Sequence, residues 1–196
     1  GFNINFQPTL RALCVCFMHF DKDFIARCVD NDPKAQGELY KWYAPKMFGI
    51  CLRYAKSQME AEDVLQEGFI KVFRYLKNYR SDGPLEGWIR RTMVNTAINF
   101  YKKKLRYQKD ISLEQTEPFN PDEESALDKL SAKELLEFVQ ELPDGYRMVF
   151  NLNIIEGYTH KEIGEMLNIS ENTSKSQLSR ARGVLQTKLK RKLYGD

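Results

Sequence analysis

The sequence predicts an all-α protein of two small helical domains joined by an acidic flexible linker, the second domain containing a helix-turn-helix. Three observations predict it. Apolar residues recur at three- and four-residue spacing in both halves, as along one face of a helix. No useful length of sequence alternates apolar and polar residues as a half-buried strand would. Between the halves lies Asp110-Ile-Ser-Leu-Glu-Gln-Thr-Glu-Pro-Phe-Asn-Pro-Asp-Glu-Glu-Ser125, with two prolines and neither periodicity, which reads as a linker. The expected boundaries are an N-terminal extension over 1–20, a first domain over 21–107, the linker over 108–127 and a second domain over 128–196.

In the first domain Val64, Leu65, Phe69, Val72, Phe73 and Leu76 share one helical face. The turn Tyr79-Arg-Ser-Asp-Gly-Pro84 separates that helix from the next, whose apolar positions are Ile89, Met93, Ala97, Phe100 and Tyr101. The second domain opens on a helix bearing Leu127, Leu130, Leu135, Leu136, Phe138 and Val139, stopped near Leu142-Pro-Asp-Gly145. A helix through Tyr146, Val149, Phe150 and Ile154 then runs to a break at Glu156-Gly157. Thr159-His-Lys-Glu162 has the form of a capping box, in which hydroxyl and carboxylate each accept a bond from a free amide at a helix start. That short helix buries Ile163, Met166 and Leu167 and ends at Asn168, a residue that tolerates the left-handed conformation of a sharp turn. Ser170 is placed to cap the last helix, whose apolar stripe is Leu178, Ala181, Leu185 and Leu189.

With 42% hydrophobic residues in a chain of 196, a sizeable core can be built, which excludes disorder throughout. No apolar run approaches the roughly 20 residues that span a bilayer, so no direct membrane insertion is expected. Cys14, Cys16, Cys28 and Cys51 are too few for a disulfide scaffold and fit a reducing, cytoplasmic location. The 30 basic and 27 acidic residues leave a net charge of +3, but they are unevenly placed. Trp88 to Tyr107 holds six cations and no acid, Asp110 to Asp128 seven acids and no cation, and Lys175 to Lys192 seven cations and no acid. Two cationic blocks around an anionic one suit two polyanion-binding surfaces with a connector that avoids both.

A short helix, a tight turn and a longer basic helix make a helix-turn-helix. At about 100° per residue, turning the last helix's apolar stripe inward turns Asn172, Thr173, Ser176, Gln177 and Arg180 outward, with Lys175 and Arg182 on the flanks. Those side chains match base edges in a major groove, and the flanking cations neutralise phosphates. Eight aromatic residues fall between Phe69 and Tyr107, interleaved with Arg and Lys, a mixture that stacks unpaired bases and holds a single strand. Phe69, Phe73 and Phe100 lie on apolar stripes and are expected in the core. Trp88, after the Gly-Pro turn and beside Arg90 and Arg91, is the better base contact. Glu60-Ala-Glu-Asp-Val-Leu-Gln-Glu67 carries acids one turn apart, but no His joins them at ligand spacing. Cys14-x-Cys16-x-x-His19 lacks a fourth ligand. No catalytic residue, metal site or cofactor is expected.

Glu62-Asp-Val-Leu-Gln-Glu-Gly-Phe-Ile-Lys-Val-Phe73, Leu85-Glu-Gly-Trp-Ile-Arg-Arg-Thr-Met-Val-Asn-Thr-Ala-Ile-Asn99, Gly157-Tyr-Thr-His-Lys-Glu-Ile-Gly-Glu-Met-Leu167 and Asn172-Thr-Ser-Lys-Ser-Gln-Leu-Ser-Arg-Ala-Arg182 occur in that order. Together they resemble bacterial sigma factors of the extracytoplasmic-function (ECF) group of the sigma-70 family, from about Phe24 to Lys192. The resemblance implies a factor that binds core RNA polymerase, directs it to promoters and promotes opening, without being an enzyme. It implies polymerase binding by Asp63, Gln66, Glu67 and Phe69, and capture of the opened minus-10 strand by Trp88, Arg90, Arg91, Asn95, Lys102 and Lys103. It assigns the minus-35 duplex to Asn172, Thr173, Lys175, Ser176, Gln177, Arg180 and Arg182, the linker to the polymerase cleft, and control to an anti-sigma partner. Asn99, Gly68, Phe73, Asn172 and Gln177 depart from the family's commoner choices, so promoter sequence does not carry over. Gly1 to about Phe17 matches nothing in the family, and Met18 is the expected natural start. The alternatives are a helix-turn-helix regulator that never joins polymerase, and a metal-dependent nuclease built on Glu60, Glu62, Asp63 and Glu67.

Overall fold

The computed structural model describes residues 20–109 and 132–194. The first two positions of the expected linker, 108 and 109, continue the helix before it; the rest of that linker, the Cys14–Cys16–His19 cluster, Met18, and the Leu127 and Leu130 positions lie outside the described residues.

The first unit contains α1 (Lys22–Val29), α2 (Pro33–Tyr54), α3 (Gln58–Tyr75) with a 3₁₀ turn at Leu76–Asn78, and α4 (Leu85–Lys109). The starts of α1, α2 and α3 are chemically marked. Asp21 accepts the Phe24 amide, Asp32 accepts the Lys34 amide ahead of Pro33 at the first position, and Ser57 accepts the Glu60 amide. Leu39, Met47, Val64, Val72, Ile89 and Met93 are buried between α2, α3 and α4, in a core that continues into Met148, Leu152 and Ile163 of the second unit. Gly68 lets α3 and α4 approach: a Cβ there would stand 2.2 Å from Met93 Sδ.

The second unit contains α5 (Ala132–Gln140), α6 (Asp144–Phe150) continuing through a wide π turn at Asn151–Ile155, α7 (His160–Leu167) and α8 (Glu171–Tyr194). Leu142, Ala181 and Leu185 make its small inner cluster, with Phe138 and Tyr146 packed against it. The π turn corrects one expectation. Ile154, placed by periodicity on the apolar face, is 43% exposed, and Leu152 is buried in its stead. A π turn carries an extra residue per turn and rotates everything beyond it, which a 3.6-residue count cannot anticipate. Its closing bond runs from the Glu156 amide to Asn151 O at 3.0 Å, and Gly157 then reverses the chain with φ +79°.

The two units dock directly. The C-terminal end of α2 meets α5 and α6, and α4 meets α7. Ala55 N already satisfies Cys51 O, leaving the next three carbonyls of α2 without partners inside their helix. The second unit supplies all three: Gln140 Nε2 donates to Leu52 O at 3.0 Å, Asn151 Nδ2 to Arg53 O at 2.8 Å and Arg147 Nε to Tyr54 O at 3.0 Å.

Candidate nucleic-acid interface

The exposed polar residues of α4 divide by face. Trp88, Arg91, Asn95, Asn99, Lys102 and Arg106 lie within about 60° of one line along the helix at 100° per residue. Of these, Arg91, Asn95, Asn99 and Arg106 are exposed, Trp88 and Lys102 half-buried, and Lys103 is exposed beside them. Trp88 is braced by Tyr79, whose ring centre is 5.9 Å away and whose hydroxyl donates to Gly83 O at 2.5 Å. The Tyr79 ring is tilted 54° to Trp88, and Trp88 is half-buried against the core at the start of this polar line, so an aromatic edge stands beside the cations as single-strand binding uses.

Arg90 does not belong to that line. It points about 160° away from Trp88 around the helix, where its Nε and Nη2 donate to Glu156 Oε2 and Oε1 at 3.0 and 2.9 Å. Sequence adjacency had grouped Arg90 with Arg91, but neighbours on a helix are about 100° apart. On the same inner side, Tyr101 and Lys104 border a small cavity between the units with Glu60, Asp144 and Arg147. Lys104 Nζ lies 2.9 Å from Glu60 Oε1 and 3.1 Å from Asp144 Oδ2. Burial alone would favour neutral Asp144, but Arg147 and Lys104 outweigh it and hold the carboxyl below its usual range. Burial opposes the charge of Glu60 too, and there the Lys56 amide and Lys104 prevail. Burial works against charged Lys104 as well, yet its two carboxylate partners keep its pKa above the ordinary value.

On α3, Asp63, Gln66 and Glu67 are exposed on one face, and Lys71 Nζ pairs with Glu67 at 2.6 Å. Phe69, expected with them, is 3% exposed and packs edge-on against Tyr40 at 4.7 Å, so it supports the face from beneath. Sequence reasoning missed Met59 and Ile70, 72% and 57% exposed, which share the Asp63 face and make it acidic and apolar together. Their signal was apolar residues off the core stripe. Glu60 turns toward Lys104 while Asp63 and Glu67 face outward, so the carboxylates of the nuclease alternative do not converge. Among the described residues no cluster of His, Cys, Asp or Glu is arranged to hold a metal.

The helix-turn-helix is fixed by local chemistry. Thr159 Oγ1 accepts the Glu162 amide at 3.3 Å, and Glu162 Oε2 accepts the Thr159 amide at 2.8 Å. The Thr159 amide, and its hydroxyl donating to the same Oε2 at 2.7 Å, hold the Glu162 carboxyl below its usual range. Asn168 adopts the left-handed conformation, φ 58° and ψ 49°, and the Thr173 amide donates to Ser170 Oγ at 3.0 Å. Gly164 is required by close approach, since a Cβ there would lie 2.8 Å from Ile169 O. Leu178, Ala181, Leu185 and Leu189 are buried as the stripe predicts. On α8, Asn172, Lys175, Ser176 and Arg182 are exposed and Thr173 and Arg180 half-buried. Gln177 departs from the open face: it lies against α6, where a Cβ on Gly145 would come within 3.2 Å of its Nε2. The missing side chain at Gly145 makes that recess, and nothing near Gln177 in sequence announces it.

The described helices thus define a two-part nucleic-acid-binding factor: a helical unit with an aromatic, cationic stripe, and a helix-turn-helix unit. Comparison with known proteins specifies it. The family description "Sigma-70 region 2" matches residues 39–107 and "Sigma-70, region 4" matches residues 132–185. RNA polymerase sigma-H factor of Pseudomonas aeruginosa is 28% identical over 181 residues, 86% of this chain and 93% of its own. The ECF RNA polymerase sigma-E factor of Escherichia coli is 29% identical over 180 residues, 86% of this chain and 94% of its own. Among solved structures, CnrH in complex with the cytosolic domain of CnrY aligns with TM-score 0.44 at 18% identity, covering 86% of this chain and 96% of that one. The sigma factor RpoE of Bartonella quintana, solved with the anti-sigma factor NepR, aligns with TM-score 0.47 at 19% identity, covering 79% and 96%. The chain belongs to the sigma-70 family of RNA polymerase sigma factors, in its extracytoplasmic-function group. It directs RNA polymerase to promoters, and its partners are core polymerase and promoter DNA. Sigma factors in general are non-catalytic initiation factors, and no described helix is long and apolar enough to cross a membrane.

Proposed function

We propose that the Met59–Asp63–Gln66–Glu67–Ile70 face of α3 binds core polymerase, the Trp88–Arg91–Asn95–Lys102 stripe of α4 captures the opened minus-10 strand, and α8 reads the minus-35 duplex. The observation that carries this reading is that all three faces stand open at once, on three different helices, in the family's order along the chain. Asn172, Ser176 and Arg180 are the nearest to base edges, with Lys175 and Arg182 toward phosphates.

Unstacking a base costs a few kcal/mol. A chain without an energy source therefore biases opening by trapping strands that part within the larger machine. Polymerisation belongs to the partner, and this chain alone performs no catalysis. It works in the cytoplasm, where the transcription machinery is. Restraint by an anti-sigma protein is supported by the Bartonella quintana relative, which was solved with one.

Transcription by purified core polymerase on a genomic fragment library tests the reading. Discrete transcripts that require this chain are expected, together with co-purification of chain and core. A chain that binds free duplex DNA yet fails to hold core polymerase at low salt is instead the helix-turn-helix regulator.

A further inference from the structure

We infer that Glu171, the first residue of α8, is a specificity-determining residue: its carboxylate accepts the amino group of a cytosine in the major groove of the minus-35 duplex and turns away duplexes that offer no such donor there. The inference rests on the reading of that duplex by α8 and sharpens it.

The residue stands out by charge. From Glu171 to Tyr194, α8 carries seven cations and one carboxylate, and the carboxylate occupies the first position. A helix that only attracts a polyanion gains nothing from an acid there, because every duplex brings phosphates that repel it. The two ordinary uses of such an acid, favouring the positive end of a helix and pairing with a lysine one turn on, are weak in solvent. The helix end is secured without it, since Ser170 Oγ accepts the Thr173 amide at 3.0 Å. By helical phase Glu171 falls on the flank of Lys175 and Arg182, but its place at the tip outweighs phase: the N-terminal residues of a reading helix are the ones that reach base edges. Glu171 and Asn172 are both exposed there.

The tip is also held in place. Ser174, one turn on, is fully buried, and its Oγ lies 2.9 Å from His160 Nδ1, which ties the first turn of α8 to the first turn of α7. Lys175 Nζ binds Glu171 Oε1 at 2.7 Å. That bond, together with the lysine's charge, keeps the Glu171 carboxyl below its usual range, so at neutral pH it is ionised and can only accept. A carboxylate has about four acceptor positions, so the bond to Lys175 orients it and leaves room for a second donor. An ammonium has three donors, so Lys175 can hold Glu171 and meet a phosphate together. In the major groove only cytosine N4 and adenine N6 donate. Adenine sets its N7 acceptor beside N6, guanine shows acceptors alone, and thymine shows an acceptor and a methyl group. A group that can only accept therefore fits cytosine best.

The test uses the full chain and a pool of short duplexes randomised in sequence, comparing the parent, Glu171→Gln and Arg180→Ala. The parent should favour cytosine at one position by about tenfold. Glutamine keeps the side chain's size and adds a donor, which suits adenine N6 and N7. Glu171→Gln should move that one preference from cytosine to adenine and leave the other positions as they were. It should also hold an unselected duplex more tightly at low salt, because one repelled charge is gone. A role confined to the helix end would instead lower the melting temperature and weaken all duplexes alike with base preferences unmoved, and that result overturns the proposal. Arg180→Ala separates the two readings. If it alters a preference while Glu171→Gln alters none, α8 reads the duplex and Glu171 does not. If neither variant alters any preference, the reading by α8 itself fails and takes this inference with it.

Discussion

At the residue scale, Arg180 and Trp88 carry the sharpest expectations. Arg180→Ala should weaken minus-35 duplex binding by about 1–3 kcal/mol if it meets a base, read by titration against a duplex carrying the selected element; a loss within a few tenths removes it from the reading face. Trp88→Ala should leave that duplex affinity intact and lower open-complex formation, seen as weaker permanganate reactivity of promoter thymines. Burial of the two described cysteines sets a third expectation. The Cys28 and Cys51 thiols are pushed up to about 11 and about 12 by burial, so a thiolate-selective reagent at pH 7.5 should leave both unmodified until the chain unfolds. Types at these positions were legible in the sequence; directions were less so. Arg91 and Arg90 look equivalent in the chain, and only the phase of α4 about its own axis sends one to solvent and the other to Glu156. Gln177 was misplaced because the recess that receives it is made by Gly145, 32 residues earlier in sequence.

Elements were the most legible level, because their causes are local. The capping box at Thr159, the left-handed Asn168 and the stripe on α8 involve residues a few positions apart, and each formed as the sequence implied. Gly164→Ala should destabilise the second unit by about 1–3 kcal/mol, since the clash at 2.8 Å is with backbone and cannot be relieved by a rotamer change. Gly68→Ala should cost less, because the atom it meets is the far end of a methionine. Thermal melts of both variants decide the order. The π turn escaped because it answers to a distant need: Asn151, where it begins, is held by Arg53 O in the other unit. A wide turn justified by a tertiary contact leaves no periodic trace.

For the whole molecule, two cationic blocks around an acidic one were visible, but the docking of the units was not. Its contacts join residues 40 to 98 positions apart, and each partner taken alone looks like an ordinary surface charge or amide. The dock also predicts a pH response. Asp144 and Glu60 are held below their ordinary values when folded, so their contribution is present above the unfolded carboxylate range of about 4 and is lost as pH falls through the depressed folded values. Lys104, raised when folded, contributes fully below its unfolded value of about 10.4 and loses that contribution as pH climbs past its folded one. Melting temperature should therefore be flat near neutrality and fall below about pH 4, and Lys104→Met should flatten the acid limb; an acid limb unchanged in that variant assigns the response elsewhere.

The three backbone carbonyls at the end of α2 have one more consequence. Sliding the units apart by even a couple of ångströms breaks all three bonds and wets the Arg147 guanidinium together, and no halfway position satisfies any of them. Separation should therefore behave as a snap. Pulsed electron resonance distances between spin labels on the two units should give two peaks whose weights trade with salt, while the short peak itself stays in place.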